Sequence, residues 1–223
     1  MTFNGWLQIA IFAVLVILIA KPFGGYMTRV FNGERTPLHL ELRPIEAGIY
    51  KLCGVRENEE LYWVNYAAAM LAFSFAGFVT MYGIQRLQNL LPFNPAGQDA
   101  VSPDLAFNTS TSFITNTNWQ NYSGETTMSH LVQMLGLTHQ NYLSAATGIV
   151  LAVALIRGFA RHSTRTVGNF WVDVTRCTLY VLLPICVPLA LFLIWQGIPQ
   201  TLDRKSTRLN SSHEIPSRMP SSA

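Results

Sequence analysis

Long apolar runs constrain the fold of this chain more than any other feature. Residues 9–20 contain no polar side chain, and comparable apolar runs recur three more times. Only 12% of the 223 residues are charged, against roughly 25% in soluble proteins. A helix needs about 20 mainly apolar residues to cross the hydrocarbon layer of a membrane. The pattern therefore predicts an all-α integral membrane protein, in contact with lipid, with about four transmembrane helices near residues 3–20, 62–84, 131–156 and 171–195.

Basic residues are distributed unevenly between these segments. Residues 21–60 contain six Lys or Arg, the stretch between the second and third segments contains only Arg86, and the next connection contains Arg157, Arg161 and Arg165. Short loops rich in Lys and Arg tend to stay in the cytoplasm. We therefore expect the first and third connections to be cytoplasmic and the N-terminus to be extracytoplasmic.

Charge and motifs exclude several classes of function. The net charge of +3 is small and its basic residues do not form a stripe, so no nucleic-acid partner is expected. The sequence contains neither a DKTG phosphorylation motif nor a GxxxxGK[ST] phosphate loop, so we expect no ATP hydrolysis by this chain. Asp173 precedes Arg176 by one helical turn, and this spacing predicts an interfacial ion pair.

The most informative segment lies between the second and third apolar runs. Residues 102–125 read SPDLAFNTSTSFITNTNWQNYSGE, which is too polar and too short to cross a bilayer. Ser102 suits an N-cap, Pro103 suits the first helical position, and Asp104 complements the positive end of a helix. A short helix is predicted from residue 103 to about residue 114.

Turn-forming side chains follow this short helix. Residues 115–120 read TNTNWQ, a composition that favours irregular backbone. At membrane depth, irregular backbone survives only where it lines a cavity or is buried in protein. Cation filters use a short helix followed by such a strip, whose carbonyl oxygens replace the hydration shell of the ion. The residues alone are equally compatible with an ordinary extracytoplasmic loop.

Four segments of the sequence resemble the potassium-binding (A) subunit of Kdp-type potassium-transporting ATPases. They are WLQIAIFAVLVILIAKPFG, LAFNTSTSFITNTNWQNYSGETTMSH, QMLGLTHQNYLSAATGI and ALIRGFARHSTRTVGNFWVD. That family belongs to the potassium-transporter superfamily, which is built from four span-pore-span repeats. The resemblance covers about residues 1–200 and implies an N-terminal span, a re-entrant pore helix with its filter strip in the first repeat, and the next span.

The resemblance also implies a site, a substrate and partners. The potassium filter candidates are Thr115, Asn116, Thr117 and Asn118, chiefly through their backbone carbonyls, with Gln120 at the filter edge. Asn118 stands where potassium channels have a filter glycine, and Asn tolerates left-handed backbone best among the other residues. Potassium is the implied transported ion, with no organic cofactor. A separate P-type subunit would hydrolyse ATP, with small accessory subunits completing the complex in the bacterial inner membrane.

Two domains are predicted: a membrane domain at residues 1–202 and a tail at residues 203–223. The tail is rich in Ser, Pro and charge, which predicts disorder. Its basic residues follow a span that should exit outward, and this conflict predicts a non-native tail. The family continues through three further repeats, so we expect a truncated subunit that does not conduct alone. The alternative is a non-conducting membrane scaffold that binds a partner.

Overall fold

A computed structural model describes residues 2–161 and 165–198 of the chain. The predicted tail at residues 203–223 lies outside the described residues. The helices are α1 (Phe3–Phe31), α2 (His39–Cys53), α3 (Trp63–Arg86), α4 (Pro103–Ile114), α5 (Gly124–Thr127), α6 (Val132–Ala160) and α7 (Phe170–Trp195). Two short strands, β1 (Leu61–Tyr62) and β2 (Thr166–Gly168), pair antiparallel.

Four of these helices, α1, α3, α6 and α7, are long and apolar enough to cross a membrane. The predicted helical membrane fold is therefore confirmed. The two-stranded ladder was not predicted, because runs of only a few residues carry no readable alternation of polar and apolar side chains.

Helix α1 is longer than the sequence predicted. The prediction ended it at Ala20, before Pro22, whereas the helix continues to Phe31. A proline inside a helix removes one backbone hydrogen bond and is unfavourable in isolation. Here the later turns pack into the core, and the Tyr26 hydroxyl donates to the Tyr180 carbonyl oxygen at 2.6 Å. Tertiary packing therefore outweighs the local preference.

The two basic connections meet at one end of the helix bundle. Strand β1 precedes α3 and strand β2 follows α6, and their pairing places Leu61 opposite Gly168. Beside them, Arg161 Nη1 lies 3.0 Å from each carboxylate oxygen of Glu60. The chain between the end of α3 and the start of α6, which includes α4, leaves and re-enters the bundle at the opposite end. This arrangement matches the predicted sharing of one membrane side by the two connections.

Helix α4 has the predicted bounds, and its C-terminal end lies near the middle of the bundle. Pro103 occupies its first turn, although Ser102 makes no side-chain capping bond in the described part of the chain. At its other end, Ile114 lies against Gly77, which is near the middle of α3. A Cβ added at Gly77 would lie 3.0 Å from Ile114 Cδ1 and 2.9 Å from Gln140 Oε1. The absence of a side chain at Gly77 thus lets α3, α4 and α6 approach closely.

Two of the long helices contain π-helical stretches, at Val132–Thr138 in α6 and at Cys177–Leu182 in α7. Such stretches are rare and occur frequently at functional sites. In α6 the stretch begins shortly after α5. Gln133 Nε2 donates there to the carbonyl oxygens of Gly124 at 3.1 Å and Met128 at 2.9 Å. These bonds tie the start of α6 to the chain that precedes it.

Candidate functional site

The backbone N–H groups of residues 115–119 all turn back toward the last turns of α4. The bonds run from Thr115 to Thr111 O (3.1 Å), Asn116 to Phe113 O (3.3 Å), Thr117 to Ser112 O (2.9 Å), Asn118 to Ser112 O (3.3 Å) and Trp119 to Ser112 Oγ (2.7 Å). These bonds satisfy carbonyl groups that a helix end normally leaves without a partner. The strip and the end of α4 are therefore one hydrogen-bonded unit.

The carbonyl groups of the strip consequently point away from α4. In a trans peptide the N–H and the preceding C=O point in opposite directions, and the described residues contain no cis peptide bond. The carbonyl oxygens of residues 115–118 accept no hydrogen bond from any described residue. These four oxygens therefore lie on the side of the strip away from the end of α4 and are not hydrogen-bonded to the described residues. Backbone carbonyl oxygens of this kind line cation filters.

Two left-handed asparagines produce this geometry. Asn116 has a φ of 55° and Asn118 a φ of 57°, whereas Thr115 has a φ of −83°. Alternation of hand between neighbouring residues turns successive N–H groups the same way. The left-handed conformation of Asn118 is one that asparagine tolerates better than other residues with a side chain. The same conformation at Asn116 was not anticipated from the sequence.

The predicted site residues differ in their surroundings. Thr115, Asn116 and Thr117 are exposed, and Asn118 is half-buried. Thr115 Oγ1 lies 2.8 Å from Thr117 Oγ1, so these two hydroxyls are hydrogen-bonded to each other. Gln120 is exposed, and its side chain makes no hydrogen bond to the described chain. The structure therefore brings residues 115–118 together and leaves Gln120 beside them.

Sequence reasoning missed three residues that shape this strip. Ser112 is buried, and its Oγ donates to the Trp119 carbonyl oxygen at 3.2 Å while accepting from the Trp119 N–H. Asn141 and Ser144 of α6 bond the side chains of the two left-handed asparagines. A small hydroxyl on a predicted helix carries no sequence signal for such a role. The contacts with α6 depend on how the helices pack.

Comparison with known proteins places the chain in a family. The profile of the family described as "KdpA: Potassium-transporting ATPase A subunit" matches residues 10–220. The chain belongs to the KdpA family. The predicted family resemblance is thereby confirmed.

Curated relatives of this KdpA-family chain carry the name "potassium-transporting ATPase potassium-binding subunit". Over 202 residues, or 91% of the chain, it is 70% identical to the relative from Bradyrhizobium diazoefficiens and 66% identical to the one from Rhodopseudomonas palustris. The relative from Mesorhizobium japonicum is 62% identical over the same length. The aligned part covers 36% of each of these relatives, so the chain spans about a third of their length.

The buried charges of this KdpA-family chain pair differently from the prediction. Asp173 does not pair with Arg176 but with Arg157 of α6, through Nη1–Oδ2 at 2.7 Å and Nη2–Oδ1 at 3.1 Å. Arg176 instead contacts Glu46 at 3.1 Å and Glu57 at 2.5 Å. Asp173 and Arg176 lie one helical turn apart but do not pair with each other. Each pairs instead with a side chain from another part of the chain.

Glu46 lies at the centre of a polar cluster at the basic end of the bundle. Its carboxylate accepts hydrogen bonds from Tyr50 at 2.7 Å and Tyr180 at 2.8 Å, and it contacts Arg43 and Arg176 at 3.1 Å each. Burial alone would raise the pKa of Glu46, but these hydrogen bonds together lower it below the ordinary value of 4.5. The ionised carboxylate therefore stabilises the fold above that value, and this stabilisation is lost as the pH falls through the lowered pKa.

Proposed function

We propose that this chain is the N-terminal part of the potassium-binding and translocating subunit of an ATP-driven, high-affinity potassium uptake complex. Residues 1–202 are its membrane domain, and residues 203–223 are a non-native tail. The observation that carries the proposal is the set of carbonyl oxygens of residues 115–118, which lie away from the end of α4 and are not hydrogen-bonded to the described residues. The name of the relatives, potassium-binding subunit, supports the same function.

The strip has the chemistry that potassium requires. Carbonyl oxygens are neutral, hard ligands that replace ion hydration without binding the ion irreversibly. Helix α4 ends at Ile114, so the negative end of its dipole lies next to the strip and attracts a cation. Thr115, Asn116, Thr117 and Asn118 supply the oxygens, and Gln120 lies at the edge. Other repeats of a full-length subunit would complete the ring, and no organic cofactor takes part.

The proposal includes partners and an orientation. A separate P-type subunit hydrolyses ATP, small accessory subunits complete the complex, and lipid surrounds the long apolar helices. The complex resides in the bacterial inner membrane. The end that carries Arg43, Arg56 and Arg161 faces the cytoplasm, because short basic loops are retained there, and the N-terminus is extracytoplasmic.

A chimera tests this function. The 202 aligned residues replace the matching part of the Bradyrhizobium diazoefficiens relative, and the complex is produced in a bacterium that lacks other potassium uptake. We expect potassium uptake by the chimera, and a weaker dependence on potassium after Asn118→Ala or Gln120→Ala. Thr147→Val is the control, because among the described residues the Thr147 hydroxyl bonds only its own helix, at Leu143 O.

Competition between ions separates the two candidate functions. Potassium should suppress rubidium uptake by the chimera at lower concentration than sodium does, and the two site variants should reduce this difference. If both variants behave like the control, the segment acts as a non-conducting scaffold and the proposed function is wrong.

A further inference from the structure

The side chains of the two left-handed asparagines are tied to α6. Asn118 Nδ2 donates to Asn141 Oδ1 at 3.0 Å and to Asn116 Oδ1 at 3.1 Å. Ser144 Oγ donates to the same Asn116 oxygen at 3.3 Å. Ser144 is buried, and its single hydroxyl hydrogen is shared between Asn116 Oδ1 and the Asn141 carbonyl oxygen at 3.2 Å. These four residues form one network between the strip and a membrane-spanning helix.

We propose that Asn141 and Ser144 are positioning residues of the filter strip, which set its ion discrimination by holding the side chains of Asn116 and Asn118. This inference rests on the proposed potassium function. Neither positioning residue contacts the ion. Each acts through an asparagine whose backbone conformation directs the carbonyl oxygens.

The physical need for such a tether follows from the backbone. A residue other than glycine in the left-handed region is strained, so it persists only where its surroundings enforce it. If Asn116 or Asn118 relaxed to negative φ, the adjacent peptide planes would rotate and the four carbonyl oxygens would no longer lie on the same side of the strip. A hydrogen bond to a rigid helix opposes this rotation.

Asparagine therefore performs two tasks that glycine cannot combine. Glycine adopts positive φ more easily than asparagine, but it has no side chain to bond a neighbouring helix. The substitution Asn118→Gly keeps the backbone conformation accessible and removes the tether to Asn141. It separates the conformational task from the anchoring task.

The π-helical stretch at the start of α6 determines which residues face the strip. It ends at Thr138, just before Asn141. Successive residues of an α-helix are rotated by about 100°, so a change of one residue in register would turn Asn141 and Ser144 away from the strip. The π-helical stretch and the two polar residues thus belong to one arrangement.

A double-mutant cycle in the chimeric complex tests the inference. The variants are Asn141→Ala, Asn118→Gly and their combination. The readouts are the KM for potassium, the maximal uptake rate and a discrimination ratio. This ratio is the sodium concentration that halves rubidium uptake divided by the potassium concentration that does so. Each single variant should raise the KM and lower the ratio by about threefold to tenfold, the effect of one hydrogen bond. The double variant should be no worse than the more affected single variant, because both remove the same contact.

Two further variants of α6 distinguish positioning from general damage. Asn141→Asp keeps an acceptor oxygen for Asn118 Nδ2. Its added negative charge attracts potassium and sodium alike, so the KM should change while the discrimination ratio is retained. Thr147→Val lies one turn beyond Ser144 and should leave all readouts unchanged. A loss of folding would reduce the amount of complex and the maximal rate without changing the ratio.

The outcomes separate the inference from the proposed function. Unchanged ratios in the single variants, or effects that add in the double variant, overturn the positioning role while uptake by the unmodified chimera still supports potassium transport. If the unmodified chimera takes up no potassium, the proposed function fails and the inference fails with it. Should Asn141→Ala not assemble, an unchanged ratio in Asn118→Gly alone overturns the inference.

Discussion

Replacing Asp173 by asparagine should destabilise the fold strongly, although it changes the shape of the side chain very little. The Asp173 side chain is 2% exposed and that of its partner Arg157 is 14% exposed. The variant removes the negative charge and leaves the guanidinium of Arg157 buried without a counter-charge. The Tyr66 hydroxyl, which donates to Asp173 Oδ2 at 3.2 Å, then competes with Arg157 for one amide oxygen.

The size of the effect follows from this burial. Removing one partner of a buried ion pair typically costs about 3–5 kcal/mol, because the remaining charge is uncompensated. Arg157 also donates to the carbonyl oxygens of Phe31 at 3.0 Å and Val167 at 3.2 Å, so it connects the end of α1 with β2. If Arg157 turns toward water, these contacts are lost as well. We therefore expect Asp173→Asn to lower the free energy of unfolding by about 4 kcal/mol.

A second pair, formed by the residue that caps the C-terminal end of α6, provides a matched control. Arg161 and Glu60 form a similar pair, with side chains that are 34% and 46% exposed. Exposed pairs contribute about 0–1 kcal/mol, so Glu60→Gln should have a small effect. Unfolding would be followed by tryptophan fluorescence as the fraction of sodium dodecyl sulfate in mixed micelles increases. Equal losses of stability in Asp173→Asn and Glu60→Gln would refute the reasoning.

A double replacement tests whether the buried charge is the cause. In Arg157→Met with Asp173→Leu, neither charge remains, and apolar replacement of a whole buried pair is often close to neutral. This variant should be more stable than Asp173→Asn. A double variant as unstable as the single one would show that the contacts of Arg157 with backbone carbonyls dominate.

Three other variants probe separate parts of the fold. Below pH 4.5 the unfolding free energy of the native chain should fall, and Glu46→Gln should flatten this dependence, as a titration of micelle unfolding against pH would show. Gly77→Leu should lower stability by about 1–3 kcal/mol through overpacking, measured by the same unfolding assay, whereas an exposed glycine such as Gly148 provides a neutral control. Gly168→Ala should cost about 1–3 kcal/mol from strain at its φ of 111°, and its Cβ would collide with Arg157; an unchanged unfolding curve would contradict this.

Local signals accounted for most of the structure of residues 102–120. Ser102, Pro103 and Asp104 mark a helix start, and turn-forming residues after Ile114 mark its end, so both ends of α4 were predictable. The left-handed conformation of Asn118 is compatible with its residue type, but the sequence did not predict it. The helix ends depend on a few neighbouring residues and on backbone sterics.

The partners of polar side chains were not predictable in the same way. The expected pair of Asp173 with Arg176 was wrong, because Arg157 comes from another helix. Likewise, no spacing rule links Asn118 to Asn141, whose contact depends on the register of the π-helical stretch. A spacing rule covers only residues on the same helix, and these contacts cross between helices.

The sequence by itself determined the membrane class of this protein, the existence of four spanning helices and the short helix with its polar strip. Apolar length and turn chemistry are local properties, and a bilayer allows few alternatives to a helix. Only the tertiary structure decided that α1 continues beyond Pro22, which charges pair, and that α6 holds the two left-handed asparagines. These outcomes depend on free energies of contact between segments distant in the chain, which become defined only when the helices pack together.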